Sequence, residues 1–175
     1  MRKIKYLFQN LWTYITNNKK SIIINYVVFL SLVFVLLLID LLTKHYLFNE
    51  NKIDEVIYQN WLFGIKSLKN EGLTFFPNAS DIALVSAVNF FVLISCLISL
   101  IFWKNILLSV FIAFIFSGSL GNTIDRLAFS YVRDIIFTPW FNKGVFNFAD
   151  MFVVIGSIGF TITILILFLK SYFQK

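Results

Sequence analysis

Four apolar runs, each near the ~20 residues that a helix needs to cross the hydrocarbon core of a bilayer, constrain this chain more than any other feature of its sequence. Taken to their polar ends they give spans of about 22–43, 82–103, 106–124 and 150–169. In lipid no water is available to a backbone donor, so each run must satisfy its own hydrogen bonds and is expected as a helix. Hydrophobic residues make up 59% of the 175 positions, which leaves too little polar sequence for a separate soluble core. A single integral membrane domain, 1–175, follows. No apolar stretch directly after the first basic residues ends at a small-residue cleavage site, so all four runs are expected to persist as helices.

The charges are sorted by position. With four spans both termini and the turn at Lys104 share one side, which carries Arg2, Lys3, Lys5, Lys19, Lys20, Lys104, Lys170 and Lys175 and no acid. By the positive-inside rule that side is cytoplasmic. All 9 acids fall on the other side. The basic balance of the chain therefore reports topology and contact with anionic lipid, not nucleic acid.

Before the first span, Ile4, Leu7, Phe8, Leu11, Trp12 and Ile15 recur at helical spacing, with Lys3, Lys5, Gln9, Asn10, Thr13 and Asn17 opposite them. This pattern predicts an amphipathic helix over residues 1–20 lying in the inner interface. Residues 45–81 form the one long loop, where apolar alternation with turn points at Gly64, Gly72 and Pro77 predicts short strands. Residues 125–150 are read as a second outer loop resting on the membrane surface, through Ile135, Ile136, Phe137, Trp140 and Phe141. The fold class is thus an all-α membrane protein with four transmembrane helices, a small extracytoplasmic β-rich loop region and an N-terminal interfacial amphipathic helix.

Cys96 is the only cysteine and His45 the only histidine. A disulfide within the chain, a cysteine metal cluster and a two-histidine zinc site are thereby excluded, and Cys96 reads as a packing residue. The chemistry must rest on carboxylates, which are costly at membrane depth and need a partner or a purpose. Asp40 and Lys44 stand i, i+4 at the outer end of the first span and can pair. Asn122 and Asp125 stand i, i+3 at the end of the third, followed by Arg126, with Gly118 and Gly121 allowing close backbone approach. Asn147 and Asp150 repeat that spacing where the fourth begins. A helix cap accounts for Asn147 or Asp150 alone. It leaves unexplained why two Asn/Asp pairs and a further acid, Asp134, gather at the outer ends of neighbouring helices. Two close carboxyls share a proton, and such a pair can activate water and protonate a leaving amine.

At these residues the chain resembles the lipoprotein signal peptidase (signal peptidase II) family. Asp40-Leu-Leu-Thr-Lys44 is similar to its Asp-x-x-x-Lys element and Asn70-Glu-Gly72-Leu-Thr-Phe75 to its Asn-x-Gly-x-x-Phe. Gly121-Asn122-Thr-Ile-Asp125-Arg126, Val132-Arg-Asp134 and Phe146-Asn147-Phe-Ala149-Asp150 resemble its three later blocks. Ser117 stands where the family usually has glycine. The resemblance implies an aspartic endopeptidase that removes signal peptides from diacylglyceryl-modified prolipoproteins by cutting before the lipidated cysteine. It puts the catalytic pair on Asp134 and Asp150, with Asp40, Lys44, Asn70, Gly72, Gly118, Asn122, Asp125, Arg126, Asn147 and Ala149 shaping the site or holding substrate. It implies no metal or cofactor. The expected partners are the lipidated prolipoprotein and membrane lipids, the expected state is a monomer, and the expected place is a bacterial cytoplasmic membrane with the active site near the extracytoplasmic interface. A proton-coupled transporter would carry its acids at mid-membrane, and a noncatalytic assembly subunit would have no use for the gathered acids.

Overall fold

The computed structural model describes residues 2–71, 82–140 and 144–174. Its order is α1 (Arg2–Asn17), α2 (Lys19–Leu47), a 3-10 turn (Glu50–Lys52), β1 (Val56–Gln59), β2 (Gly64–Asn70), α3 (Ile82–Phe102), α4 (Ile106–Phe129), β3 (Val132–Phe137), β4 (Val145–Phe146) and α5 (Phe148–Phe173). By length and composition α2, α4 and α5 are long and apolar enough to cross a membrane. Helix α3 stands where the second span was expected, with a shorter apolar stretch, Ala87–Phe102, among the described side chains.

Helix α4 is the centre of the bundle and packs against α2, α3 and α5. Its buried residues, Leu108, Ile112, Ala113, Ser117, Gly121, Asn122 and Asp125 among them, recur at the three- and four-residue steps of one helical face. Phe29 and Val33 of α2, Cys96 and Leu100 of α3, and Ile112 and Ala113 of α4 make the apolar core, so Cys96 is a packing residue. Outward faces are also apolar: Phe34, Val154, Ile158 and Phe168 are exposed, as suits a protein whose solvent is lipid.

Close packing of α4 on α5 and α2 depends on missing side chains. A Cβ at Gly118 would overlap the carbonyl oxygen of Ala149, and one at Gly121 would overlap the Asp40 carboxylate. Helix α4 runs five residues past the expected 124, to Phe129, and ends at Ser130, whose φ of 64° turns the chain while its N–H reaches the Arg126 carbonyl at 3.0 Å. The extension is stable because Asn122 and Asp125 face the protein interior, where partners await them.

The strands form one antiparallel sheet in the order β1-β2-β3-β4. Strands were expected only in the long loop, but the segment read as resting on the membrane surface supplies β3 and β4. The alternation of Val132, Asp134 and Ile136 with Arg133 is a strand pattern that the aromatic residues around it obscured. The 3-10 turn is clipped to this sheet by Asn49 N–H on Ser67 Oγ (2.8 Å) and by Tyr131 Oη on Glu50 Oε1 (2.7 Å).

Candidate active site

The last two turns of α2 bring Asp40 and Lys44 inward with no exposed surface. Lys44 Nζ donates to Asp40 Oδ2 at 2.8 Å and to Asn122 Oδ1 at 3.0 Å, and lies 3.3 Å from Asp125 Oδ2. One ammonium thus faces two buried carboxylates, an arrangement that needs a second cation. Arg133 supplies it: its Nη2 and Nε bind Asp125 Oδ1 at 2.7 and 3.2 Å, while its backbone N–H binds Oδ2 at 3.0 Å. Asp40 completes its shell with the Ala149 N–H at 2.9 Å. The four charges balance, and every oxygen of Asp40 and Asp125 is engaged.

This group orients the amides beyond it. An ammonium can only donate, so Asn122 must turn its carbonyl to Lys44 and its amide outward, where Nδ2 donates to Asp150 Oδ1 at 2.7 Å. Asn147 is the N-cap of α5: its Oδ1 accepts the Asp150 N–H at 2.9 Å, and Asp150 Oδ2 accepts the Asn147 N–H at 3.2 Å. That reciprocal cap is the plain structural role the sequence allowed, and it coexists with a second one. With its carbonyl committed, Asn147 presents Nδ2 to Asn122 Oδ1 (3.2 Å) and to Asp134 Oδ1 (2.7 Å). Strand β3 delivers Asp134 opposite Leu68 of β2, two residues from Asn70, whose Nδ2 donates to Asp134 Oδ2 at 2.9 Å.

Asp134 and Asp150 therefore meet on Asn147, one bonded to its side chain and the other to its backbone. Asp134 is 1% exposed whereas Asp150 is half-buried. Burial, followed by the Asp150 charge, pushes the pKa of Asp134 up to about 7, against the pull of the Asn70 and Asn147 hydrogen bonds and of Lys44. At neutral pH such a pair can hold one proton between two carboxyls. Asp150 lies in the first turn of α5, where helix N–H groups favour negative charge.

Of the residues singled out in the sequence, Asp40, Lys44, Asn70, Asn122, Asp125, Asp134, Asn147, Ala149 and Asp150 join one bonded network. Gly118 and Gly121 make room for it, and Gly72 lies outside the described residues. Arg126 is at the edge: its Nη1 donates to the backbone carbonyl of Asn122 at 3.4 Å, in the field of Asp150, Asp134 and Asp125. Asp125 pairs with Arg133 and Lys44, not with its neighbour Arg126. Arg133 is the one member of this network that the spacings and motifs of the sequence do not mark. The signal available was the strand alternation, which sends it to the other side from Asp134.

The signal peptidase (SPase) II family model matches residues 32–167, the stretch that contains this whole network. The chain belongs to the signal peptidase II family. It is 31% identical to the lipoprotein signal peptidase of Malacoplasma penetrans, over 89% of this chain and 70% of that one. Identity to the lipoprotein signal peptidase of Clostridium acetobutylicum is 28%, over 74% of this chain and 88% of that one. Two solved structures, each described as a bacterial membrane enzyme, superpose with TM-scores of 0.72 and 0.71 at 25% identity, covering 78% of this chain and 87% and 92% of theirs. A membrane peptidase of this family is a hydrolase, and the polar network is where this chain gathers groups fit for hydrolysis.

Proposed function

We propose that this chain is an aspartic endopeptidase in which Asp134 and Asp150 cleave the signal peptide from diacylglyceryl-modified prolipoproteins just before the lipidated cysteine. The observation that carries the reading is the meeting of the two carboxyls on Asn147, one of them buried and protonated up to about pH 7. Asp150, as the anion, takes a proton from water as the oxygen attacks the scissile carbonyl. Asp134 gives its proton to the carbonyl oxygen, so the tetrahedral intermediate forms without net charge. Collapse of that intermediate returns one proton to the pair while the other goes to the leaving amine. Asn122 and Asn147 hold both acids in register, and Lys44, Asp40, Asp125 and Arg133 hold the amides. Asp125 is poorly suited to carry a mobile proton, because both its oxygens are taken by cations and a backbone N–H.

The proposal extends to placement. All four of α2 to α5 cross the bilayer, α1 lies in the inner interface, both termini are cytoplasmic, and the sheet with the carboxyls sits at the outer surface. A signal peptide spans the membrane as a helix with its cleavage point at that surface, which supports the match. Asn70 and Arg126 are placed to bind carbonyl or phosphate oxygens of the substrate, and the enzyme works as a monomer. Incubating the purified protein with a prolipoprotein before and after diacylglyceryl transfer tests the reaction. Cleavage before the modified cysteine of the lipidated form alone is expected; equal cleavage of both forms would overturn the substrate assignment. For orientation, Glu55→Cys on the exposed outer loop should react with an impermeant thiol reagent outside intact cells, and labelling only from the cytoplasm would invert the topology.

A further inference from the structure

A second polar arrangement lies at the far end of the bundle, and cleavage makes no use of it. Lys20 precedes Asp40 by twenty residues of one helix, a rise of about 30 Å, close to the thickness of the hydrocarbon core. There Asn18 alone separates α1 from α2, and its N–H and Nδ2 cap α1 at the Tyr14 carbonyl (3.1 and 2.7 Å). The α3–α4 turn is held against this junction. Tyr14 stacks on Phe102 with ring centres 6.1 Å apart and donates its hydroxyl to the Phe102 carbonyl at 3.1 Å. Asn25, 1% exposed, donates to the Trp103 carbonyl at 2.6 Å.

These contacts bring Lys104 of the turn and Lys20 of α2 to one groove of about 460 Å³, lined also by the polar residues Asn17 and Ser21 and the apolar residues Ile24 and Ile106. Lys104 is steadied by the Tyr14 ring, 5.9 Å from its Nζ. The sequence places no acid before Asp40 or after Asp150, so the field at this end is positive throughout. Helix α1, whose last residue Asn17 lines the groove, exposes Ile4, Leu7, Phe8 and Trp12 further along its length, an apolar stripe suited to the level where acyl chains meet headgroups.

We propose that this groove binds an anionic phospholipid, its phosphate between Lys20 and Lys104 and its acyl chains against Ile24, Ile106 and the stripe of α1. The two lysines and the neutral donors between them suit a phosphodiester. The adjoining isoleucines suit a lipid better than a free anion. Such a lipid would fix the depth of α2, and with it the height of Asp40 and Lys44 at the other surface. The inference uses the membrane placement proposed above but not the catalytic assignment, and a direct binding measurement keeps the two separable.

The test is native mass spectrometry of the purified full chain with phosphatidylglycerol or phosphatidylcholine in mixed micelles. Wild type should retain phosphatidylglycerol in preference to phosphatidylcholine. The double variant K20Q/K104Q should bind it about 30-fold more weakly, at about fivefold per surface charge. K170Q, which removes a charge from the same end outside the groove, should bind as wild type does. Both groove lysines are exposed, and unchanged circular dichroism would show that the double variant is folded. Equal retention of the two lipids, equal loss in K170Q and K20Q/K104Q, or undiminished binding by the double variant would overturn the proposal. Displacement of the lipid by inorganic phosphate would reassign the groove to a soluble anion.

Discussion

Replacing Asp134 by Asn isolates what it costs the fold to hold this carboxyl. An unfolded chain releases the proton near 3.8, whereas the folded chain keeps it to about 7. Between those values the folded state binds more protons, so stability is full below 3.8, falls as pH rises, and levels off above 7. At about 1.4 kcal/mol per pH unit the fall amounts to about 4 kcal/mol. Asp134→Asn does not titrate and loses this slope. It also loses something: Asp134 accepts Asn70 and Asn147 on separate oxygens, and an amide has one acceptor, so one donor then faces an NH2 group at a cost of about 1–3 kcal/mol. The variant should therefore be the less stable protein in acid and the more stable one above neutrality, by about 1–3 kcal/mol, with the two curves crossing in between. Unfolding in dodecyl sulfate micelles across this pH range, followed by circular dichroism, measures both. A flat wild-type curve, or a variant with the wild-type slope, would refute the assignment of the raised pKa to Asp134.

Three further substitutions probe the supporting network. Lys44→Met leaves the buried Asp40 without a cation and Asp125 with Arg133 alone, and should destabilise by about 3–5 kcal/mol, as read in the same unfolding assay. Gly121→Ala drives a methyl into the Asp40 carboxylate and should cost about 1–3 kcal/mol, with the Ala149 contact to Asp40 loosened and cleavage slowed. Arg126→Ala removes the cation at the rim of the site without breaking any ion pair among the described residues, and should lower kcat/KM about 10- to 100-fold, the worth of a hydrogen bond to a charged group, with little change in stability.

The legible parts of this protein are those that a local rule governs. A run of about 20 apolar residues has little choice in lipid, and α2, α4 and α5 stand where such runs fall. The i, i+3 spacing of Asn147 and Asp150 marked both a cap and an acid at a helix start, and the structure contains the two together. What stayed hidden is set by partners distant in sequence. Nothing local says that β3 will pair with β2 some sixty residues earlier, or that Asp125 will take Arg133 over the adjacent Arg126. Neighbours on a helix point about 100° apart, so adjacency in sequence is weak evidence for an ion pair. The orientation of Asn122 was beyond reach too, because it is imposed by an ammonium on another helix.

The central claim is that Asp134 and Asp150 perform the chemistry as one unit. Single-turnover cleavage of a lipidated prolipoprotein by Asp134→Asn, Asp150→Asn and the double variant, each shown to be folded, tests it most directly. Either amide removes a group that must give or take a proton, so each single variant should lose cleavage to background and the double should be hardly worse than either. Substantial turnover by a folded single variant, or losses that multiply in the double, would contradict the pair.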